Sequence, residues 1–223
     1  MSDGAPPIPH ARGERRWPMA LAVLVTAALQ FVFPASVRSI PAPVYVAVLL
    51  AFLVVLVVGD PGRIDRDKPW LHRTTSVMIG IITVANMGAA IRLVQGIIDG
   101  EAFTEAGELL AIGATVWVIN VIAFALWFWD LDRGGAVARA TGQGLRTRAF
   151  VFPEEGLPEH ADDPWRPQFV DYLTLSFSTA TAFSPTDVSA VKGWSKLLMM
   201  AEAMTSLTVA LLVLARAINT LPT

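Results

Sequence analysis

The chemistry-bearing residues of this chain gather in one stretch, Tyr172 to Asp187, YLTLSFSTATAFSPTD, and in the apolar run that follows it. Thr174, Ser176, Ser178, Thr179, Thr181 and Ser184 carry hydroxyls, and Asp171 and Asp187 bracket them with carboxylates. Glu202 and Ser206 lie further on, inside the run from Trp194 to Ile218. Hydroxyls and carboxylates in an apolar setting have to be buried in protein or face water. They are poorly suited to catalysis, because the serines have no neighbouring histidine base and neither a nucleophile elbow nor a phosphate-binding loop is present. His10, His72 and His160 fall in separate polar segments, with no second ligand at metal-binding spacing. The absence of cysteine removes thiolate, disulfide and Cys-metal chemistry. The expectation is a protein that is not an enzyme and uses no cofactor, no resident metal and no nucleic acid.

Such a segment has to be positioned by apolar elements, and the composition supplies them. Of 223 residues, 54% are hydrophobic and only 16% charged, with a mean hydropathy of +0.53, which marks an integral membrane protein. A spanning helix needs about 20 mostly apolar residues, with about 17 near the lower limit. The stretches that come close are Trp17 to Phe33, Pro43 to Val58, Thr74 to Ile98, Leu109 to Trp129 and Trp194 to Ile218. The first two are joined by PASVRSIPAP, whose prolines stop one helix and let the next begin as a tight hairpin. The first reads as a retained helix, since its downstream residues make a poor cleavage site for a signal peptide.

Arginine and lysine give the orientation. Arg12, Arg15 and Arg16 precede the first span, Arg63, Arg66, Lys68 and Arg73 separate the second from the third, and Arg133, Arg139, Arg146 and Arg148 follow the fourth. The opposite loops carry Arg38 and the acidic DGEAFTEAGE. By the positive-inside rule the N-terminus is cytoplasmic and the C-terminus outside, in a cell membrane of bacterial inner-membrane type. The chain divides into a disordered tail (1–16), a four-helix membrane region (17–130), a cytoplasmic linker (131–167) and a final module (168–223).

Within that module Phe169, Leu173, Leu175 and Phe177 alternate with polar residues, too few to span and too polar to face lipid throughout. At membrane depth such a segment survives only where protein buries it or water lines it. Asp171 is positioned to receive amides at the start of a short helix, and Pro185 requires that helix to stop by Ser184. A short helix, a polar turn, an acid and a last apolar helix together resemble the pore module of tetrameric pore-loop cation channels. The resemblance implies that Thr179 and Thr181 end a pore helix, that Ala182, Phe183, Ser184, Pro185 and Thr186 form the filter turn, and that Asp187 closes it. It further implies that Trp194 to Ile218 is the inner helix, with Glu202 and Ser206 lining the pore, and that four copies surround an axis. Where the potassium family has two glycines this chain has Phe183, Ser184, Pro185 and Thr186, so the implied path passes small cations without the potassium filter's stacked carbonyl rings. The whole chain also resembles an uncharacterised family of bacterial membrane proteins with a similar TATAFSPTD turn.

The expected fold is therefore all-α: five transmembrane helices plus a re-entrant pore helix and turn, in a homotetramer that meets small cations and the lipid bilayer. Glu202 has a second reading, as a buried partner of Arg92 or an inter-helix hydrogen-bonding group. Arg92 alone is too little charge for a voltage sensor, and snorkelling to the outer face accounts for it. Asn86 and Asn120 read as helix-helix hydrogen-bonding groups. Two other functions fit the same residues: a non-conducting scaffold or regulatory subunit whose polar segment is a packed plug, and a small-solute transporter, the latter without the internal repeat that alternating access favours.

Overall fold

The computed structural model describes residues 13–64, 68–100, 105–141, 148–157, 165–181 and 187–219. Among them α1 (Trp17–Leu29), α2 (Ala42–Gly59), α3 (Pro69–Asp99) and α4 (Ala106–Leu131) come first. A short α5 (Gly135–Thr141) and a strand β1 (Phe150–Val151) precede α6 (Phe169–Thr181), and a second strand β2 (Ser189–Ala190) leads into α7 (Gly193–Asn219). Among the described residues the fold is all-α apart from this strand pair, antiparallel with Phe150 opposite Ala190 and Val151 opposite Ser189.

Among the described residues four helices, α2, α3, α4 and α7, are long and apolar enough to cross a membrane, which is compatible with a membrane location. The first apolar stretch was expected to be helical as far as Phe33, but α1 ends at Leu29 with 13 residues, about 20 Å of helix. The residues after it turn, with the Gln30 N–H shared between the carbonyls of Ala27 and Ala28. Helix α3 begins at Pro69, where a missing N–H has no consequence. It ends at Gly100, whose φ of 71° is the left-handed conformation glycine adopts without strain.

Helix α4 is the axis of the bundle. From Ile119 to Leu126 every residue is buried, as expected of a helix apolar on all sides, and α1, α3, α6 and α7 all pack on it. At Gly113 the helix runs close against α7: a Cβ there would fall 2.7 Å from Val213 Cγ1.

The two ends of the bundle differ in charge. At one end the start of α1 meets the end of α2 through the buried Arg16–Asp60 ion pair at 3.1 Å, and Glu14 to Arg16 bond the backbone of Gly62 to Ile64. The start of α3 meets the end of α4 there, with Ser76 donating to Asp130 at 2.7 Å and His72 Nδ1 at 3.3 Å from the same carboxylate. At the other end Arg92 donates to the carbonyl of Arg38, in the turn between α1 and α2. Arg92 thus reaches backbone at that end, whereas the first end holds Arg16, Arg63, Arg133, Arg139 and Arg148.

Candidate functional site

Helix α6 is amphipathic, and its residue types fix how it sits. Phe169, Tyr172, Leu175, Ser176 and Ala180 are buried, a face repeating every three to four residues, while Thr174 and Phe177 are exposed and Ser178, Thr179 and Thr181 half-buried. Carboxylates receive its N-terminus. Glu14 Oε1 accepts from the Phe169 N–H at 2.5 Å, and Asp171 accepts from the Gln168 N–H at 2.7 Å, both favourable to the positive end of the helix dipole. Burial raises the Asp171 carboxyl above the ordinary aspartate range, with the Gln168 N–H opposing that shift and the charges of Glu154 and Glu14 adding to it.

The Glu14 carboxylate also ties this start to α4 and α5. Its Oε2 accepts from Trp129 Nε1 at 2.8 Å and from Arg139 at 3.3 Å, and the Arg139 guanidinium lies over the Trp129 and Tyr172 rings. One turn deeper, the Tyr172 hydroxyl donates to Asp132 Oδ2 at 2.6 Å. Asp132 Oδ1 takes the Ala149 N–H at 2.7 Å, immediately before β1.

The chain then comes back to the end from which α6 started. Beyond residue 186 it reaches β2, which pairs with β1, and the Val191 N–H donates to the Ala149 carbonyl at 2.8 Å. Ser195, in the first turn of α7, donates to the Lys192 carbonyl at 2.8 Å, and Trp194 meets the Phe150 ring edge-on at 6.4 Å. Thus α6 enters the bundle, and α7 starts, beside the same end of α4.

The inner part of α6 meets α4 and α7 in a polar cluster inside apolar packing. Ser176 Oγ lies 2.7 Å from the Val121 carbonyl oxygen and in hydrogen-bond contact with Glu202 Oε1. Asn120 Nδ2 donates to Ser206 Oγ at 2.9 Å and lies 3.4 Å from the Glu202 carbonyl. Val121 is about 15 Å from the Leu131 end of α4 by the helical rise, half the thickness of a bilayer's hydrocarbon core. Ser176 and Glu202 are each 0% exposed and Ser206 1%, and Glu202 Oε2 has no hydrogen-bond partner among the described residues.

The sequence-predicted residues therefore separate into groups. Glu202 and Ser206 share one face of α7, as their spacing implied, and within a single chain that face is turned to α4 and α6. Thr179 and Thr181 end α6, each bonding a carbonyl of its own helix, Leu175 at 2.9 Å and Ser178 at 3.0 Å. Asp187 is exposed. Ala182, Phe183, Ser184, Pro185 and Thr186 lie outside the described residues. Arg92 is engaged with the Arg38 carbonyl, and Glu202 with Ser176.

Sequence reasoning assigned no role to Ser176, Tyr172, Asp132 or Glu14. The repeat Phe169, Tyr172, Ser176, Ala180 could have marked Ser176 as facing inward. Nothing in the sequence pairs Glu14 with a helix that begins 155 residues later. Among known proteins, no family model, no curated protein and no solved structure matches the chain.

Proposed function

We propose that the chain is a subunit of an oligomeric, channel-like membrane protein that passes small monovalent cations. The observation that carries this reading is the course of residues 169–193. A half-length helix enters from one end of α4, and the chain returns to that end before the last long helix begins. In this reading α6 is a re-entrant pore helix, residues 181–187 form the constriction, and α1 is the fifth crossing, shortened and completed by the turn after it. Irregular backbone at that depth is tolerated where it lines water.

The sign of the ion follows from the direction of α6. Its N-terminus is held by Glu14 and Asp171 at the basic end, so its C-terminus at Thr181, the negative end of the dipole, is directed inward. Helix C-termini and freed carbonyls suit cations, as in the broken helices of ion-coupled transporters. The basic end is cytoplasmic by the positive-inside rule. Four copies would set the exposed side of α6 and the exposed apolar face of α7, including Met200, Met204, Leu207 and Leu211, toward neighbours or lipid.

Purified protein in liposomes tests the reading. Flux of potassium or sodium without chloride flux, from a protein that is tetrameric by native mass spectrometry, is the expected result; a monomer without flux overturns it. The full burial of Ser176, Glu202 and Ser206 favours a second reading, a non-conducting scaffold with α6 as a packed plug. That reading predicts a stable oligomer or monomer with no flux under any cation.

A further inference from the structure

Proton counting at the junction of α4, α6 and α7 carries the argument. Ser176 Oγ makes two close oxygen contacts, to the Val121 carbonyl at 2.7 Å and to Glu202 Oε1. A serine hydroxyl owns one proton. A carbonyl oxygen and an ionised carboxylate oxygen own none, and two oxygens at hydrogen-bonding distance with no proton between them repel. Ser176 has a single proton for the two contacts, and a proton on Glu202 would make each of them a full hydrogen bond.

The surroundings agree with a neutral acid. Among the described residues Glu202 is 0% exposed, its Oε2 has no hydrogen-bond partner, and no cation is paired with it. An isolated charge in such a place is far more unfavourable than a hydrogen-bonded acid. The charged and titratable residues on the elements packed against it lie elsewhere. They are Glu108 and Asp130 toward the ends of α4, Asp171 and Tyr172 in the first turn of α6, Lys196 and Arg216 on α7, and His72, Arg73, Arg92 and Asp99 on α3. The side chain facing the carboxyl is a serine, and Asn120 is spent on Ser206 Oγ and the Glu202 backbone.

We propose that Glu202 is a buried proton-binding site that fastens α6. As the neutral acid it donates to Ser176 Oγ, Ser176 donates to the Val121 carbonyl, and loss of the proton to solvent releases the inner part of α6 from α4 and α7. On ionisation the Ser176 proton turns to the carboxylate, the 2.7 Å contact with Val121 becomes repulsive, and a bare charge seeks water. Protonation here is a property of the packing and holds whether or not the protein conducts.

Infrared difference spectra of the full-length protein in nanodiscs, titrated in pH and compared with Glu202→Gln, read the proton directly. The expected result is a protonated-carboxyl C=O band at neutral pH that is missing in Glu202→Gln. A Glu202 carboxylate already ionised at neutral pH overturns the proposal. The native chain has no cysteine, so spin labels at Thr174→Cys on α6 and Met200→Cys on α7, both exposed, report the movement without background. Their separation is expected to stay constant while the band persists and to change as it is lost, and to remain constant throughout in Glu202→Gln. A separation that ignores loss of the band overturns the fastening role. If Glu202→Gln does not fold, Ser176→Ala keeps the acid and removes its acceptor, and an unshifted C=O band in that variant overturns the relay.

Discussion

Tyr172 and Asp132, forty residues apart, meet at 2.6 Å with the phenol donating to a carboxylate that is itself fully buried. The same carboxylate receives the N–H groups of Ala149 and Phe150 and the Arg133 guanidinium at 3.1 Å. One acid thereby joins the end of α4, the start of β1 and the first turn of α6. It fixes where the half-length helix enters the bundle, and so how deep Thr181 reaches.

Tyr172→Phe removes one donor from an acceptor that keeps its others. The expected loss is that of a hydrogen bond to a charged group, about 1.5–3 kcal/mol, seen as a lower unfolding midpoint in detergent. The pH dependence has a definite sign. Burial, with Asp132 alongside and against the opposing charge of Arg139, pushes the Tyr172 hydroxyl well above its usual range. Its contribution is complete below the unfolded value of about 10 and is lost as the pH rises from there toward the folded value. Wild-type protein is expected to lose stability above that pH more steeply than Tyr172→Phe. Equal alkaline slopes would contradict the role given to Tyr172.

Gly113 gives α7 its place on α4. Alanine there sets a Cβ 2.7 and 2.8 Å from the two methyls of Val213, whose β-branched side chain has little freedom to turn away. Gly113→Ala is expected to destabilise by about 1–3 kcal/mol. Adding Val213→Ala is expected to recover part of that loss, because the two sites touch and couple. A double mutant that is merely additive argues that the helices do not meet there.

Asn120→Ala leaves Ser206 Oγ without its donor at 2.9 Å. Hydrogen bonds between membrane helices average about 0.6 kcal/mol and reach about 1.7, so a small loss in that range is expected. Glu202 keeps its contact with Ser176, so its infrared band is expected to survive. Loss of the band in Asn120→Ala would mean that the asparagine holds the acid.

Asp187 is exposed just before β2, in the turn proposed as the constriction. Asp187→Asn removes a charge without touching a buried contact, so it is expected to leave oligomeric state and midpoint unchanged while altering cation preference or flux in liposomes. Thr181→Ala, which loses only a bond to the Ser178 carbonyl at 3.0 Å, is expected to behave similarly. Unchanged flux in both would remove these residues from the path.

Much of the fold could be read from the chain because a membrane accepts so few solutions. Runs of apolar residues bounded by proline, glycine and charge gave the long helices nearly to their ends. Asp171 marked the first turn of α6. Arginine and lysine, spaced two helices apart, gathered the basic loops at one end. The end of α1 was less legible: Gln30, Phe31, Val32 and Phe33 suit a helix by composition, and the turn there depends on how α1 meets α2.

By itself, then, the sequence determined the all-α class, the long apolar helices, the short polar helix before the last of them, and the shared face of Glu202 and Ser206. Only the tertiary structure decided what that face touches. A polar stripe on an apolar helix says that those residues avoid lipid, and this is equally true beside a water-filled pore and inside a packed bundle. Hydrophobic periodicity distinguishes lipid from everything else and cannot choose among the alternatives. What the face touches within one chain follows from contacts distant in sequence, Ser176 with Glu202, and the entry of α6 from Tyr172 with Asp132 and Glu14 with the start of α6, whose partners carry no mark in the local pattern.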